Sequence, residues 1–321
     1  MISHMISFRK LTAACLAATG TLAGAMLGAA SAQTINDLES AVTQGAQFED
    51  AQRQADQFRR PSEDEAMLDG EPGVFILRVN EIFHVGAAAG VGYSTNPGRT
   101  LDINAEESGF SNFALNAGIN TVIGGHVEAG VNLVVSGTDY FRNNEIDNKN
   151  AIASAYVGTS VLDDRVYVTA GANYGTSGDG NFSDTTDFSG VSASASTVFQ
   201  MRENVLLQPT LTVSRQFSQN EAQENIAVTA AVRAVWAPTE NWRVSGEVTY
   251  TDRTYDNFYE DVTFVEREDE VWSAGLSVSR AIAPDLQVTA SIGYTEQTSA
   301  FFLSEYDAVD GGLNLRLSKR F

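Results

Sequence analysis

The chain has 321 residues, a formal net charge of -21, 27 glycines, six prolines and one cysteine, Cys15. Such acidity, with Lys10, Lys149 and Lys319 the only lysines, excludes a nucleic-acid partner and argues against a strongly basic channel for acidic substrates. If Cys15 leaves with a cleaved leader, disulfide and thiol chemistry go with it.

Arg9 and Lys10 precede an apolar stretch over 11–30, and Ala30-Ser31-Ala32 supplies a small-residue cleavage site. This pattern predicts a secretory signal peptide over 1–32. About 290 residues then remain, enough for one large domain. No later apolar run approaches the ~18 residues of a membrane helix. Over 33–74, Ile35, Leu38, Val42, Phe48, Ala51, Ala55 and Phe58 fall near helical spacing after a Thr34/Asp37 start, and Arg59 to Glu65 reads as a polar break. The segment is expected to be a periplasmic extension with one short helix, either lying free or folding back as a plug.

From about residue 75 the apolar period becomes two and stays there. Phe83, Val85, Ala87, Ala89, Val91 and Tyr93 open the series; Val127, Ala129, Val131, Leu133 and Val135 repeat it; Leu286, Val288, Ala290, Ile292 and Tyr294 are its penultimate run. Twelve such runs follow one another, the Ala-rich one over 151–161 having no clear facing. Each is about 9–13 residues, the length a tilted strand needs to cross hydrocarbon. Short connections (at 123–125, 163–165, 200–204, 237–240 and 283–285) alternate with long ones (94–109, 138–150, 175–187, 218–225, 251–270 and 296–309). This alternation predicts an all-β fold: a 12-stranded antiparallel transmembrane β-barrel over 75–321, with tight periplasmic turns, long extracellular loops and both termini inside.

Aromatic residues fall at the predicted strand ends. Tyr93, Phe113, Tyr174, Phe188, Phe217, Tyr250, Trp272 and Tyr294 would form the outer girdle and Phe83, Phe199, Trp236 and Trp242 the inner one. Trp236 and Trp242 flank a short turn symmetrically, which would fix that hairpin's register. The alternate phase is small and polar, including Asn112, Asn116, Asn132, Thr169, Asn173, Ser192, Ser194, Thr212, Ser245, Ser277, Thr289, Ser291 and Asn314. Its charges are few: Glu128, Arg233, Arg243, Glu247, Arg316 and Arg320. Pairing about Pro238 would set Arg233 diagonal to Glu247, a structural pair on the lumen wall. Small inward residues favour a narrow free path.

The last run, Leu313, Leu315, Leu317 and Phe321, alternates to a terminal aromatic. It reads as the assembly signal that the barrel-insertion machinery recognises, and as the strand that zips to the one beginning near Phe83. Enzymatic chemistry has little to work with. His84 and His126 are the only histidines after the leader and both sit beside short turns, away from the outer-leaflet side where a lipid-face Ser–His dyad or a rim protease would need them. No catalytic residue, metal ligand or cofactor is expected. The acidic loop residues Asp256, Glu260, Asp261, Glu266, Glu268 and Asp269, like 178–181, lack EF-hand spacing and read as solvated acid.

The stretch Val85-Gly86-Ala87-Ala88-Ala89-Gly90-Val91-Gly92-Tyr93 running into Ser94-Thr95-Asn96-Pro97, with the leader, the hairpin succession and the Phe321 end, resembles the putative β-barrel porin 2 family of Gram-negative outer-membrane proteins over about 80–321. That resemblance implies an outer-membrane barrel of open cargo, with some relatives accompanying exopolysaccharide synthesis and export. The expected protein is a monomeric, multi-pass, porin-like conduit in outer-membrane lipid, passing a small solute or a polysaccharide. The competing class is a non-conducting structural or surface-interaction barrel.

Overall fold

The computed structural model describes residues 83–99, 106–124, 127–142, 146–162, 165–179, 185–202, 204–239, 241–256, 267–300 and 304–321. The expected signal peptide, the 33–74 extension, His126 and the loop acids Glu260, Asp261 and Glu266 lie outside the described residues.

The strands are β1 (Phe83–Ser94), β2 (Ser108–Ile123), β3 (Val127–Tyr140), β4 (Asn148–Val161), β5 (Val166–Asp179), β6 (Thr185–Ser196), β7 (Phe199–Arg202), β8 (Val205–Ser218), β9 (Asn225–Thr239), β10 (Trp242–Tyr255), β11 (Glu268–Ala283), β12 (Leu286–Ser299) and β13 (Tyr306–Arg320). Each is antiparallel to its sequence neighbour, β6 pairs with β8, and β13 returns to β1. Because β6 and β7 are two parts of one stave, the result is a closed barrel of twelve staves. The closing seam runs from Ser94 opposite Asp310 to His84 opposite Arg320. Two further bonds extend it, from the Phe83 N–H to the Phe321 carbonyl (3.2 Å) and from the Phe321 N–H to the Phe83 carbonyl (2.9 Å). Closure matters because each backbone group left unpaired in hydrocarbon costs several kcal/mol, roughly.

Register partners show the stagger. The line Ser192, Ser214, Ala227, Arg253, Asp269, Ser299 begins in the middle of β6 and ends on the last residue of β12. The strands are therefore strongly tilted to the barrel axis.

Side chains alternate across the wall as the period of two requires. Val91, Leu115, Val131, Leu133, Val157, Leu276, Leu313, Leu315 and Leu317 stand exposed on the outer surface, while Asn116, Asn132, Asn150 and Gln297 are buried on the inner one. The Ala-rich β4 resolves the same way, with Ala153, Ala155 and Val157 out and Ile152, Ser154 and Tyr156 in. A continuous exposed apolar belt of this kind suits lipid and not water.

Three departures from the expected pattern have local causes. The strands run several residues into the expected long connections, as β3 does to Tyr140 and β11 does from Glu268. Out there both faces are polar, so ladder hydrogen bonds continue without an apolar contrast to mark them. The sixth stave breaks between Ser196 and Phe199 although its register with β8 does not change. Opposite the break stands Pro209, which accepts from the Thr197 N–H (3.2 Å) but has no N–H to return. Finally, Trp236 and Trp242 do not flank their turn symmetrically. β9 continues through Pro238 to Thr239, Trp242 opposes Thr239, and an irregularity before Val244 places Trp236 opposite Val244.

Candidate functional site

The interior is the candidate site, and its two walls differ. On β1 to β4 the inward glycines give space to large neighbours. A Cβ at Gly118 would overlap the His84 ring, one at Gly130 the Tyr156 ring, one at Gly158 the Tyr167 phenol and one at Gly92 the Phe110 ring. That side of the lumen is therefore filled. On β11 and β12 no side chain lies within 4 Å of a Cβ built at Gly275 or Gly293. Inward Ser291 and, across the lumen, Ser192 are exposed to solvent. A closed wall with exposed inward residues encloses water-accessible space.

Toward the short-turn end, Glu128 on β3 accepts from the Tyr156 phenol of β4 (2.5 Å) and the Tyr167 phenol of β5 (2.6 Å). Charge-assisted bonds of this kind are about twice as strong as neutral ones, and they tie three staves together. Replacing Gly158 with valine should force the Tyr167 ring off its seat and cost about 1–3 kcal/mol through overpacking and lost hydrogen bonding. A lower urea midpoint of the refolded barrel, with Tyr167→Phe losing less, is the expected result. Nearby, inward His84 lies with Nε2 3.3 Å from Asn132 Oδ1 and is buried.

Of the other sequence-selected charges, Arg233, Arg243 and Glu247 lie on the opposite wall and Arg316 beside the seam. Arg233 on β9 and Glu247 on β10 are direct register partners and form an ion pair. They are not diagonal as expected, because β9 runs through Pro238 to pair Thr239 with Trp242, which moves the turn along the chain. Arg243 opposes Ser279 on β11, and Arg316 on β13 lies between Gln287 of β12 and Ala88 of β1. The backbone of Arg320 opposes His84. Between these arginines run the hydroxyls of Ser245 and Ser277 (2.7 Å apart) and of Ser279 and Thr289 (2.9 Å apart).

Most of the selected aromatics are on the outer face. Tyr93, Phe113, Tyr174, Phe217, Trp272 and Tyr294 are exposed toward the long loops, and Phe83, Phe199, Trp236, Trp242 and Phe321 toward the short turns. Tyr250, also outward, packs on its register partner Trp272 with ring centroids 4.8 Å apart. Phe188 is the exception. It is 2% exposed and faces inward over Gly175, whose missing side chain makes the room; its place in the series is one residue out of the outward phase. Several outer tyrosines donate to adjacent carboxylates, Tyr93 to Glu107, Tyr174 to Asp187 (3.3 Å) and Tyr294 to Glu296 (3.3 Å). At the other edge cations lie over the rings, Arg280 over Trp242 (5.3 Å) and Lys319 over Phe321 (5.2 Å).

The long-loop end is lined by a buried polar layer. Arg267 and Asp269 are 1% and 0% exposed in their side chains. The Arg267 Nε donates to both Asp269 oxygens (3.0 Å each) and its terminal nitrogen to Oδ2 (2.5 Å). Asp269 also accepts from Gln297 (3.2 Å) and Ser299 (2.5 Å). The Arg267 guanidinium lies 4.4 Å from the Tyr255 ring centroid, and Arg253 donates to the Tyr255 hydroxyl (3.1 Å). Asp269 is thus no solvated acid, contrary to the loop expectation. Asp256, by contrast, is paired with Arg215 at the surface. The Arg215 hydrogen bond holds its carboxyl below the ordinary range, so this pair persists in mild acid and is lost only as pH falls through that depressed value.

The Tyr93-to-Asn96 exit from β1 acquires a structural role here. Asn96 is buried and donates to the Asp307 carbonyl (3.1 Å). The Thr95 N–H donates to the Val309 carbonyl (3.0 Å), and the Thr95 hydroxyl accepts from the Val309 N–H (2.9 Å). Arg99 then pairs with Asp310 (2.5 Å). These contacts fasten the β1–β13 seam above its last ladder bonds. Sequence reasoning missed Tyr156, Tyr167, Arg253, Arg267 and Gln297. Only the two-residue spacing of Arg267 and Asp269, and of Arg253 and Tyr255, hinted that each pair shares one face.

No family model matches the chain, and no curated protein matches it by sequence. Among solved structures, the COG4313 outer membrane channel from Pseudomonas putida F1 is similar at a TM-score of 0.52 and 10% identity, covering 82% of this chain and 100% of that one. The translocator domain of the autotransporter NalP from Neisseria meningitidis is similar at a TM-score of 0.44 and 11% identity, covering 86% of this chain and 98% of that one. The beta domain of the Bordetella autotransporter BrkA gives 0.43 and 12%, covering 73% and 98%. The likeness to the COG4313 channel, at 10% identity, shows the fold alone, that of an outer-membrane β-barrel; the finer porin-family reading rests on the residues quoted for it.

Proposed function

We propose that this barrel sits in the outer membrane of a Gram-negative cell, long loops outward, and passes small polar solutes by diffusion. The observation that carries this reading is the exposure of inward Ser192 and Ser291 within a closed wall. Around them the lumen is lined by hydroxyls and amides, which exchange hydrogen bonds with water or a polyhydroxyl solute at little net cost. The barrel does no covalent chemistry, requires no cofactor and works as a monomer. A polysaccharide is one solute such a wall suits, and the link to exopolysaccharide export comes from the porin 2 resemblance alone.

The test is conductance. Purified protein inserted in a planar bilayer should give discrete ion-conducting steps, and vesicles carrying it should swell in small sugars. Silence in both would overturn the conduit reading. It would favour the second one, a closed structural or surface-interaction barrel, which has its own support in the buried Arg267–Asp269 layer at the long-loop end.

A further inference from the structure

We infer that the lumen opens toward the short turns and is closed at the long-loop end, with the Arg267, Asp269 and Gln297 cluster as the gate of that outer mouth; the inference rests on the conduit reading. The exposure of inward side chains along single strands carries it. On β11, Ala281 at the short-turn edge is exposed, Ser279, Ser277 and Ser273 are half-buried, and Val271 and Asp269 are buried. On β12, Ser291 is exposed and Gln297, nearer the long loops, is buried. At ~3.3 Å per residue and a tilt of ~45°, Gln297 lies about 14 Å above Ser291. Across the lumen on β6, Ser192 is exposed and Phe188, nearer the long loops, is buried.

The closure runs round the barrel. Ser108, Asn148, Phe188, Asn225, Asp269 and Tyr306 stand near the long-loop ends of every second stave. All face inward and all are buried. A solute that reaches mid-height from the short turns therefore meets a filled layer above it.

Within this layer the Arg267 cluster is the part that can move without opening the wall. Asp269 joins Arg267 to Gln297 and Ser299, and Gln297 carries the link on to the Ser304 carbonyl (2.7 Å). These are side-chain bonds. The β11–β12 ladder, in which Asp269 opposes Ser299, does not depend on them. The layer is also incompletely satisfied: Gln297 Oε1, Gln223 Nε2, Asn150 Oδ1 and Ser136 Oγ are buried without a hydrogen-bond partner. A buried polar atom without a partner forgoes the bond that water would give it. Water entering the layer makes those bonds and offsets part of what parting Arg267 from Asp269 costs. The cluster thus has two arrangements, a dry one with the ion pair made and a wet one with its groups hydrated.

The experiment is thiol modification at mid-height. In a Cys15→Ser background, Ser291→Cys supplies the only thiol, since Cys15 is the one native cysteine. Full barrels are folded singly into lipid vesicles, checked by unheated gel migration, and given a charged methanethiosulfonate from outside; mass reports the labelled fraction. Barrels with short turns outward should react fast. Barrels with long loops outward should react at least about tenfold more slowly, because a minor open state is populated ~10% of the time or less. External trypsin identifies the second group by cutting at Arg142, whose side chain is 70% exposed beyond the long-loop end of β3. Detergent-solubilised barrels, reached from both ends, should show the fast rate alone. Asp269→Ala should bring the slow rate toward the fast one, and so should Gln297→Ala, which loosens the cluster and leaves the Arg267–Asp269 charges balanced. Fast labelling of barrels with long loops outward, or a slow rate that both variants leave unchanged, overturns the gate and leaves the conduit reading standing. No labelling even in detergent means that mid-height holds no water, and overturns both.

Discussion

Replacing Asp269 with alanine should destabilise the barrel by about 3–5 kcal/mol, the range measured when one partner of a buried ion pair is removed. The carboxylate is completely buried and answers the Arg267 guanidinium, the Gln297 amide and the Ser299 hydroxyl together. Its removal strands a buried positive charge and two polar groups at once. Equilibrium unfolding in urea would read the loss directly. The double change Arg267→Met with Asp269→Leu should recover most of it, because no charge is then left uncompensated. Recovery matters to the interpretation: if both variants lose stability equally, the layer is held by packing against Tyr255 and not by the ion pair. The same variants bear on conduction. If this layer narrows the long-loop mouth, Asp269→Ala should raise conductance while lowering stability.

The polar layer also shows why part of the site could not be read along the chain. The alternation of apolar and small polar residues was enough to assign inward and outward faces, the stave count and the β1–β13 seam, since these depend on a period of two and a lipid-facing belt. The layer depends instead on which residues of different strands stand opposite. Asp269 finds Ser299 through the β11–β12 register, and Glu128 finds Tyr156 and Tyr167 only because β3, β4 and β5 lie side by side in that order. The Arg233–Glu247 pair was legible as a contact but displaced by two residues, because β9 runs through Pro238 to Thr239 before it turns, which composition does not mark. Phe188 failed for a related reason: an aromatic at a strand end was assigned outward by its type, although the parity of β6 turns it in over Gly175.

A pair of arginine substitutions tests the facing on which all of this depends. Leu315→Arg should cost about 2–4 kcal/mol, the penalty for a cation on the lipid face near the bilayer midplane. Leu315 is exposed on the outer surface, flanked by Ala89 of β1 and Val288 of β12, and lies between the aromatic levels that Phe83 and Tyr93 mark on β1. At ~3.3 Å per residue and a tilt of ~45°, those two levels are about 23 Å apart, close to the ~25 Å apolar band of outer-membrane barrels. Ser291→Arg puts the same side chain on the adjacent stave β12, but facing the exposed interior, where the guanidinium stays hydrated. It should change stability by less than about 1 kcal/mol and act on conductance instead. Folding titrations in lipid vesicles, with unheated gel migration reporting the closed barrel, separate the two. Equal penalties at both positions would mean that the open wall is not water-filled, and the conduit reading would lose its main support. A penalty at Leu315 alone requires lipid outside the wall and water within it, the condition on which the conduit reading depends.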